Sequence, residues 1–576
     1  YLYSNSIRVS EVEKLNWEGI LTHARWTAVR EISKENILSA GHEIFRLECL
    51  SCHTIRGVRN DIVPLVENYT YRGVLAQITG QGKLLPYMPP FVGTQEEKEA
   101  LSAYITTDIL GRKIEEKPFQ PVGWGPGHDI RPVKIPPFDP EKDDYVLLAW
   151  NDLGMHCVSD CDEFFSFLPP ANTLEAQLIK RGAPPEIQTK GIEITYEVEE
   201  GHRDPSSQVR LWDFSESLYG TRLKKNEGLA GMGLSGVFNL LKDQNVFQAK
   251  WLPVVPYRDN GKAFNPYPTF TVQARKKDSG EILQTTRVTA PVSTEAECYR
   301  CHGGGPRKLG SGISTKTAEN ILATHDRIQG TALLKEAAAG RPKLCQSCHG
   351  DPALGAKGAE GVLNFSAAMH GWHAGYMSGM GNEACMYCHP ISYSGVTRCL
   401  RGVHGGGEKR TVCSNCHGTL DDMAASLLKG EANNPRAKAL MGPLRPKNAP
   451  DIAAVKARVP WLQEPECLAC HKGFEKPASN PSAFNHWNDS PGDLYRMKSD
   501  EAGALRCIAC HGSTHAIYTA RNPFDTYRDV IQPMQYQKNP YAIGANRSCF
   551  VCHTEEVEES VHHPNMFREV RVKGEF

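Results

Sequence analysis

The sequence lacks the features that mark several large functional classes. Its 65 Lys and Arg nearly balance its 66 Asp and Glu, which leaves a formal net charge of −1 and a pI of about 7.1. A nucleic-acid-binding protein normally carries a basic excess, so no nucleic-acid partner is predicted. The chain also has no apolar run of about 18 residues or more, so no segment is predicted to span a membrane.

A leader segment is also missing at the start of the sequence. The chain begins "YLYSNSIRVS", with neither an initiator Met nor the basic and apolar regions of a signal peptide. We therefore expect a processed protein, exported to an extracellular or cell-surface location by a signal outside this numbering, with the periplasm as the alternative. The many cysteines agree with an oxidising, exported compartment.

What the sequence has in abundance is cysteine and histidine, with 19 and 21 residues respectively. The pattern C-x-x-C-H occurs eight times and takes up 16 of the 19 cysteines. The cysteine pairs are Cys49 and Cys52, Cys298 and Cys301, Cys345 and Cys348, Cys385 and Cys388, Cys413 and Cys416, Cys467 and Cys470, Cys507 and Cys510, and Cys549 and Cys552. The histidines that follow them are His53, His302, His349, His389, His417, His471, His511 and His553.

This pattern is typical of c-type haem attachment. Two thiols with this spacing both reach one porphyrin edge, and the His directly after them becomes the proximal ligand of the iron. Zinc is the main alternative, but a zinc site gives no reason for a His at the fifth position of every motif. A redox dithiol would occur once, and a structural disulfide framework is a further alternative. We therefore predict eight c-type haems, with their iron, as the cofactors.

Residues 34–112 form the first predicted domain, after an N-terminal arm at residues 1–33. A capped amphipathic helix leads into the first motif, and a Pro-flanked Met88 precedes a second amphipathic helix. This order resembles the class I cytochrome c fold, which is a small all-α domain. The resemblance implies that Met88 is the distal ligand of the first haem, and His/Met ligation raises its reduction potential. Packing within the loop is the alternative role of Met88.

Residues 113–144 are a Pro-rich linker, and residues 145–295 hold no C-x-x-C-H motif. In this second region "DYVLLAWND", "GIEITYEVEE", "YPTFTVQARKK" and "ILQTTRVTAPVS" alternate apolar and polar residues and contain many β-branched side chains. Such segments are typical of half-buried strands. We therefore predict a β-rich, sandwich-like middle domain.

Residues 296–576 contain the other seven motifs and are rich in Gly, Pro, Ser and Asn. We predict a loop-rich heptahaem domain with short helices wrapped around the porphyrins. The strings "ILATHD", "AAMHGWHAG", "TRCLRGVH" and "ACHGSTHAIY", with "WNDLGMHCVSDCDEFF" in the middle region, resemble exported multihaem cytochromes related to the filament-forming cytochromes of metal-reducing bacteria. One departure from that pattern is the absence of Gly-His just before Cys507.

The remaining histidines are numerous enough to supply the second axial ligands. If Met88 serves the first haem, seven distal ligands are needed, and the haem-rich half offers seven sites. They are His325, His370, His373, His404, His486, His515 and one of the pair His562 and His563, of which we choose His562. Met497 is the rival of His486, which would supply the ligand that is missing before Cys507.

Two close spacings among these histidines predict crossed ligation. His515 follows His511 by four residues, so in a helix both rings would lie on one face. The two axial ligands of one iron approach from opposite faces of the porphyrin, so His515 must serve a neighbouring haem. His370 and His373, three residues apart, should likewise serve two different haems. Crossed ligation would hold consecutive porphyrins close together.

Three cysteines and several histidines fall outside these sites. We expect a disulfide between Cys157 and Cys161, or from one of them to Cys399, rather than a metal site. For His156, both haem ligation and a hydrogen bond within its own turn are open. The histidines predicted to be solvated or packing side chains are His23, His42, His128 and His202.

These features predict an electron carrier more readily than an enzyme. With a distal ligand available for every iron, no coordination site remains for a substrate. The resemblance implies that respiratory electrons pass to extracellular acceptors such as mineral oxides, as in anaerobic respiration. Redox donor and acceptor proteins are the implied partners, and a homopolymeric filament, or nanowire, is a further expectation. A multihaem oxidoreductase with one open iron and a soluble or periplasmic shuttle are the alternatives.

Overall fold

The computed structural model describes residues 6–85, 87–114, 132–389, 397, 399–400, 404, 411–474, 477, 482–488, 490–499, 504–519 and 528–555. Three regions follow one another along the chain: a helical unit, a pair of antiparallel sheets, and a region of short helices and loops. The predicted multidomain fold class is therefore confirmed. The residue numbers assigned to the domain boundaries stay a prediction.

The helical unit is built around two helices that cross closely. Its helices are α1 Val9–Glu18, α2 Ile20–His23, α3 Ile37–Ile44, α4 Val63–Val66, α5 Tyr71–Gly80 and α6 Gln95–Tyr104, and π-helical turns Phe45–Cys49 and Ile105–Ile109 extend α3 and α6. The two long helices α3 and α6 cross at Gly41, where a Cβ atom would collide with the main-chain oxygen of Ala100. Because glycine lacks this atom, Ile44, Phe45 and Leu101 can close a tight apolar core at the crossing.

The N-terminal arm is docked on this unit through a buried carboxylate. Glu97 accepts hydrogen bonds from the main-chain N–H groups of Ile20 and Leu21 at 3.0 and 2.8 Å. The same carboxylate accepts from the N–H of Thr94 at 2.9 Å and so completes the capping box of α6. Trp17 and Trp26 stay exposed. The arm is therefore held at residues 20–21 rather than flexible throughout.

The middle region is a sandwich of two antiparallel sheets. Its strands are β1 Tyr145–Asn151, β2 His156–Cys157, β3 Phe165–Ser166, β4 Asn172–Lys180, β5 Glu186–Gln188, β6 Ile192–Val198, β7 Ser235–Val237, β8 Asn239–Leu241, β9 Val246–Leu252, β10 Thr269–Lys276, β11 Ile282–Thr289 and β12 Val292–Ser293, with helix α7 Leu211–Tyr219 between β6 and β7. One sheet has the order β1-β4-β9-β8 with β5 beside β4, and the other has the order β11-β10-β6-β7. Leu147, Leu174 and Phe247 of the first sheet meet Tyr196 and Phe270 of the second in one core.

The outer face of β1 supports the C-terminal region. Val146, Leu148 and Trp150 pack against Ile508 and Ala509 of the seventh motif. The edge of β1 that does not pair with β4 is covered by side chains of helix Ile531–Gln537. Gln532 accepts from the N–H of Ala149 at 3.0 Å, and the hydroxyl of Tyr536 donates to the carbonyl of Leu147 at 2.7 Å. The sandwich is therefore the platform on which the last motifs rest.

The last region contains short helices joined by loops. They are α8 Tyr299–His302, α9 Thr315–Gln329, α10 Leu333–Ala338, α11 Phe365–Met377, α12 Glu383–Met386, α13 Cys413–His417, α14 Leu420–Lys429, α15 Pro435–Met441, α16 Cys507–His511 and α17 Ile531–Gln537, and strand β13 Lys343–Leu344 pairs with β3. Helices α11 and α14 approach closely because Gly371 lies against Leu428. Within the described ranges, no helix combines the length and the apolar character that crossing a membrane requires.

Candidate haem-binding sites

Each C-x-x-C-H motif folds into one helical turn. In six motifs the main-chain N–H of the His donates to the carbonyl of the first Cys at 2.8 to 3.0 Å; these are His53, His302, His349, His389, His471 and His553. The other two motifs, Cys413–His417 and Cys507–His511, are α-helical throughout. Residues i, i+3 and i+4 of a helical turn lie on one face, so both thiols and the imidazole share a side of each turn.

Several motif histidines face a second imidazole that comes from a distant part of the chain. The ring centres are 6.4 Å apart for His349 and His325, 6.2 Å for His389 and His370, 6.1 Å for His417 and His515, and 6.2 Å for His471 and His404. A fifth pair, His302 and His373, lies close enough to interact electrostatically. In every pair the second ring belongs to a residue that the sequence predicts as a distal ligand.

The spacing of these rings fits a single metal ion between them. An imidazole nitrogen binds a first-row metal at about 2 Å, and the ring centre lies about 1 Å behind it, so two axial imidazoles have centres about 6 Å apart. Aromatic rings in direct contact have centres about 4.5 to 7 Å apart, so it is the recurrence of nearly one distance in four pairs, stacked and edge-on alike, that fits an ion of one size between the rings. A c-type haem iron held in such a gap would supply a reversible one-electron couple.

The Nδ1 atoms of six candidate ligand histidines lie next to an oxygen acceptor. The Nδ1 contacts are His53 with the carbonyl of Asn60 at 3.1 Å, His302 with Oδ1 of Asn320 at 2.7 Å, His349 with the carbonyl of Leu363 at 2.9 Å, His325 with Oγ1 of Thr331 at 2.9 Å, His370 with the carbonyl of Ser366 at 2.8 Å, and His373 with the carbonyl of Met369 at 2.8 Å. A proton on Nδ1 satisfies each acceptor and leaves the lone pair of Nε2 for a metal. The sequence did not reveal Asn320, because nothing in its local pattern marks an amide that orients a ring.

Burial keeps these imidazoles in the form that binds metal. Burial lowers the pKa of His302, of His370 and of His515 to about 4. Burial is also the largest cause that lowers the pKa of His373 and of His404. A ring with a low pKa is neutral at neutral pH, and a neutral imidazole is the ligand form.

The metal-binding side chains come together two at a time. In the part of the chain that the structure describes, no three His, Cys, Asp or Glu side chains are grouped so that they could hold a metal ion by themselves. A structural zinc site needs four protein ligands, whereas a haem iron needs only two, because the porphyrin occupies the other four positions. The paired rings therefore suit haem better than they suit zinc.

The close spacings seen in the sequence lead to different partners. His515 faces His417 of the fifth motif, although it follows His511 of the seventh motif by four residues. On helix α11, His370 faces His389, while His373 lies near His302. The geometry therefore has the crossed arrangement that the spacing predicts.

A loop of the middle region positions His515, and the sequence did not predict this contact. Gly154 has a φ of +88°, and a Cβ atom there would collide with the main-chain oxygen of His515. The hydroxyl of Ser513 donates to the carbonyl of Asn151 at 2.5 Å. Met155 packs against Ala516. The "WNDLGMHC" loop thus forms the base under the His515 turn.

The other predicted distal ligands lie apart from these pairs. Met88 is half-buried in the loop between α5 and α6 of the helical unit. His486 is exposed, and its carbonyl accepts from the N–H of Glu466, just before the sixth motif. Its rival Met497 lies beside the seventh motif, because Arg506 donates to the carbonyl of Met497 and Cys507 donates to the carbonyl of Lys498 at 3.1 Å. His562 and His563 lie outside the described residues, as does His128.

The residues outside the motifs take mainly structural positions. Nε2 of His156 lies 2.9 Å from the carbonyl of Pro169, so this ring hydrogen-bonds within the middle region. His23 pairs with Glu18 on the surface, His42 packs edge-on against Tyr104, and His202 contacts Asn265. These are the solvated and packing roles that the sequence predicts for them.

The predicted disulfide is not formed. All nineteen cysteines lie in the described part of the chain, and none of them is joined to another by a disulfide. Cys161 is buried among Phe165 and Ile313, and its thiol donates to the carbonyl of Phe165 at 3.6 Å, so it points into its own cluster rather than toward another thiol. Cys157 and Cys399 lie within electrostatic reach of each other.

Comparison with known proteins identifies the first unit. Residues 36–105 match a family model described as cytochrome c oxidase, cbb3-type, subunit III. The N-terminal unit is a cytochrome c-like domain. Such a domain binds c-type haem, so the chain is an electron-transfer haem protein. No curated protein and no solved structure matches the chain.

Proposed function

We propose that the chain binds eight c-type haems and carries respiratory electrons through them to an extracellular acceptor. The proximal ligands are the eight motif histidines. The distal ligands are Met88 for the first haem and, in order, His373, His325, His370, His515 and His404 for the second to sixth. His562 is our proposal for the eighth haem.

The observation that carries this proposal is the set of imidazole pairs at 6.1 to 6.4 Å. Each pair joins a motif His to a ring from another element, and each gap has the width that one iron requires. Filling both axial positions with protein ligands suits a carrier, because it leaves no position for a substrate.

For the seventh haem, we propose a distal ligand other than His486, the residue chosen from the sequence. Met497 lies on a segment that bonds to Arg506 and Cys507, whereas His486 is exposed beside the sixth motif. We therefore propose Met497 as the distal ligand of the seventh haem. His/Met ligation would raise the potential of this site relative to the bis-His sites.

Contacts between motifs support a proposed order of the haems in space. Helix α9 carries both Asn320, which bonds to His302, and His325, which faces His349, so the second and third sites are neighbours. Cys388 lies near Cys298 and Cys301, which supports a fourth site beside the second.

The later sites continue this sequence of neighbours. Asn382 accepts from the N–H of Ser414 at 3.2 Å, which joins the fourth and fifth motifs. The contact of His515 with His417 links the fifth site to the seventh, and Cys416 interacts with Cys470 of the sixth. Cys510 and Cys552 share one apolar cluster, so the eighth site follows the seventh. The proposed order is third, second, fourth, fifth, then sixth and seventh, then eighth.

The cytochrome c-like domain contacts the proposed series of haem sites at the second site. The N–H of Thr70 donates to the carbonyl of Cys301 at 3.1 Å, and the rings of Tyr69 and His302 are 5.7 Å apart. Helix α5 begins at this contact. The first haem is therefore proposed as the point where electrons enter or leave the chain of haems.

Haem counting and spectroscopy test the proposal. Mass spectrometry and a pyridine haemochrome assay should give eight haems per chain, and the ferric protein should be low-spin throughout. Carbon monoxide binding to the reduced wild-type protein, or a clear high-spin ferric signal, would instead support an oxidoreductase with an open iron. Electron microscopy of the secreted fraction separates a filament from discrete particles.

A further inference from the structure

The motif histidine His417 has an Nδ1 contact unlike those of His53, His302 and His349. Where the Nδ1 atoms of His53, His302 and His349 lie next to oxygen acceptors, Nδ1 of His417 lies 3.3 Å from Nη1 of Arg458. A guanidinium only donates hydrogen bonds and keeps its charge in proteins. The proximal ring of the fifth site therefore faces a cation instead of an acceptor.

Arg458 is fixed in this position by several contacts. It is 9% exposed, and its main-chain N–H donates to the carbonyl of Ser426 at 2.9 Å. Its Nε donates to the carbonyl of Gln463 at 3.1 Å, and its guanidinium lies 5.0 Å from the ring centre of Trp487. A buried side chain held at its main chain, its guanidinium and its flat face cannot swing away from His417.

The charge of Arg458 is only weakly compensated. Within the described part of the chain Arg458 forms no direct ion pair, and Glu464 acts on it without such a contact. A guanidinium stays charged at neutral pH even when it is buried.

We propose that Arg458 raises the reduction potential of the haem held by His417 and His515, so that this haem holds electrons more strongly than its bis-His neighbours. This inference rests on the proposed function, because it assumes a haem at the fifth motif. Arg458 is a positioning and tuning residue, since it acts on the iron through His417.

Two physical effects of Arg458 have the same sign. A ferric haem carries one more positive charge than a ferrous haem, so a buried cation nearby disfavours the ferric state. With Nε2 on the iron, Nδ1 of His417 keeps its proton, and it faces the donor Arg458 where an acceptor would draw that proton. The ring is therefore a weaker electron donor to ferric iron. Both effects stabilise the ferrous state at this site.

The fifth site is well placed for such a role. It contacts the fourth site through Asn382 and Ser414, and the sixth through Cys416 and Cys470. A higher potential in the middle of the chain would collect electrons there and release them only to an acceptor of still higher potential. The fifth haem would thereby hold electrons in preference to its bis-His neighbours, the fourth and sixth haems.

A redox titration of variants tests the inference. In Arg458→Gln, the ferrous-to-ferric ratio of one haem at a fixed applied potential should fall at least tenfold, which is about 59 mV for a one-electron couple. Arg458→Lys keeps a charge in the same pocket and should restore most of the wild-type ratio. Arg445→Gln, at an exposed arginine of the same region, should change nothing.

The shifted haem can be assigned by a second ligand change. In a His515→Ala background the fifth haem loses its distal ligand and becomes high-spin, so its redox titration can be followed separately from those of the low-spin haems. Adding Arg458→Gln should lower the midpoint potential of this high-spin haem. Eight low-spin haems with an unchanged titration in Arg458→Gln, or equal shifts in the Gln and Lys variants, would overturn the inference. A wild-type protein with fewer than eight haems would instead contradict the proposed function.

Discussion

At the scale of the single residue, two roles of His515 can be compared. Its position four residues after His511 puts it beside the seventh motif, yet its ring lies 6.1 Å from that of His417. His515 is either the distal ligand of the neighbouring fifth haem or a residue that binds no iron, and the two roles predict different results when it is replaced. The difference is visible in the spin state of one identifiable iron.

We expect His515→Ala to convert one of the eight haems to a high-spin form that binds carbon monoxide when reduced. The reason is that the fifth iron keeps His417 and loses its second imidazole, whereas the seventh keeps both of its ligands. Electron paramagnetic resonance and optical titration with carbon monoxide measure the change. His486→Ala, which removes an exposed ring, is the matched control and should leave all haems low-spin. A fully low-spin His515→Ala protein would contradict the assignment.

A second prediction at this scale concerns Asp162, which lies in the loop between strands β2 and β3 of the middle region. Asp162 is 1% exposed, and burial raises the pKa of its carboxyl from 3.8 to about 8. A carboxyl whose folded-state pKa exceeds its unfolded value stabilises fully below about pH 4, and this contribution is lost as the pH rises toward 8. In that window the native state loses up to about 1.4 kcal/mol per pH unit from this group.

The expected result is that Asp162→Asn flattens the pH dependence of unfolding. Between pH 5 and pH 8 the wild-type thermal midpoint should fall more than that of the variant, as measured by circular dichroism. Asp213→Asn, at a carboxylate paired with Arg210 on the surface, should behave like the wild type. Parallel pH profiles for the wild type and Asp162→Asn would show that this carboxyl does not govern the decline.

At the scale of the element, some strands of the middle region could be predicted from the sequence and one could not. The alternating segments predicted β1, β6, β10 and β11, because each of these strands has one face in the core and a different environment on the other. Strand β4 was not predicted, although Leu174, Ala176 and Leu178 alternate with Thr173, Glu175 and Gln177 along it. Both faces of this strand are buried, because Glu175 accepts from the indole N–H of Trp150 and Gln177 donates to the carbonyl of Ala504, and no local pattern reveals such tertiary partners.

The residues of the candidate sites also fall into those that the sequence predicts and those that it does not. Spacing alone predicts the motif cysteines and histidines and the crossed arrangement of His515. Gly154, Asn320 and Arg458 act on rings that are far away in the sequence, so no local pattern points to them. Such contacts arise from tertiary packing, and a single sequence does not predict which distant loops come into contact.

The contact between the "WNDLGMHC" loop and the His515 turn gives a prediction for an element. Gly154→Ala would place a methyl group against the main-chain oxygen of His515, at a φ where side chains are already strained. We expect the turn to move and part of the fifth haem to become high-spin, which optical spectroscopy detects. Gly191 has a φ of +69° with open space around it, so Gly191→Ala carries the strain without the collision. Equal spectra for the two variants would exclude a positioning role for the loop.

At the scale of the whole molecule, the chain of contacts differs from the order of motifs in the sequence. The fourth motif adjoins the second through Cys388 and the fifth through Asn382, so it joins the two halves of the proposed path. The third site lies to one side, next to the second. The eighth lies at the far end, where Cys552 packs beside Cys510 on the outer face of the sandwich. Removing different haems should therefore have very different effects on internal electron transfer.

We expect the double substitution Cys385→Ala and Cys388→Ala, which removes the attachment of the fourth haem, to isolate the first haem from the distal sites. After mixing with less than one electron equivalent of reductant, electrons captured by the fifth to eighth haems should reach the first haem at least tenfold more slowly than in the wild type. In a Met497→Ala background, where Met88 is the methionine ligand that remains, the near-infrared band of a Met-ligated ferric haem reports arrival at the first site. Tunnelling falls steeply with distance, so the loss of one intermediate site slows the whole transfer.

The matched control removes a terminal haem by Cys549→Ala and Cys552→Ala. Because the eighth site lies at the end of the path, its loss should lower the total number of electrons held but leave the rate of arrival at the first haem unchanged. Haem counting must give seven for both variants. Equal rates in both variants would mean that the fourth site is not the connection, and the contacts of Cys388 and Asn382 would then serve packing alone.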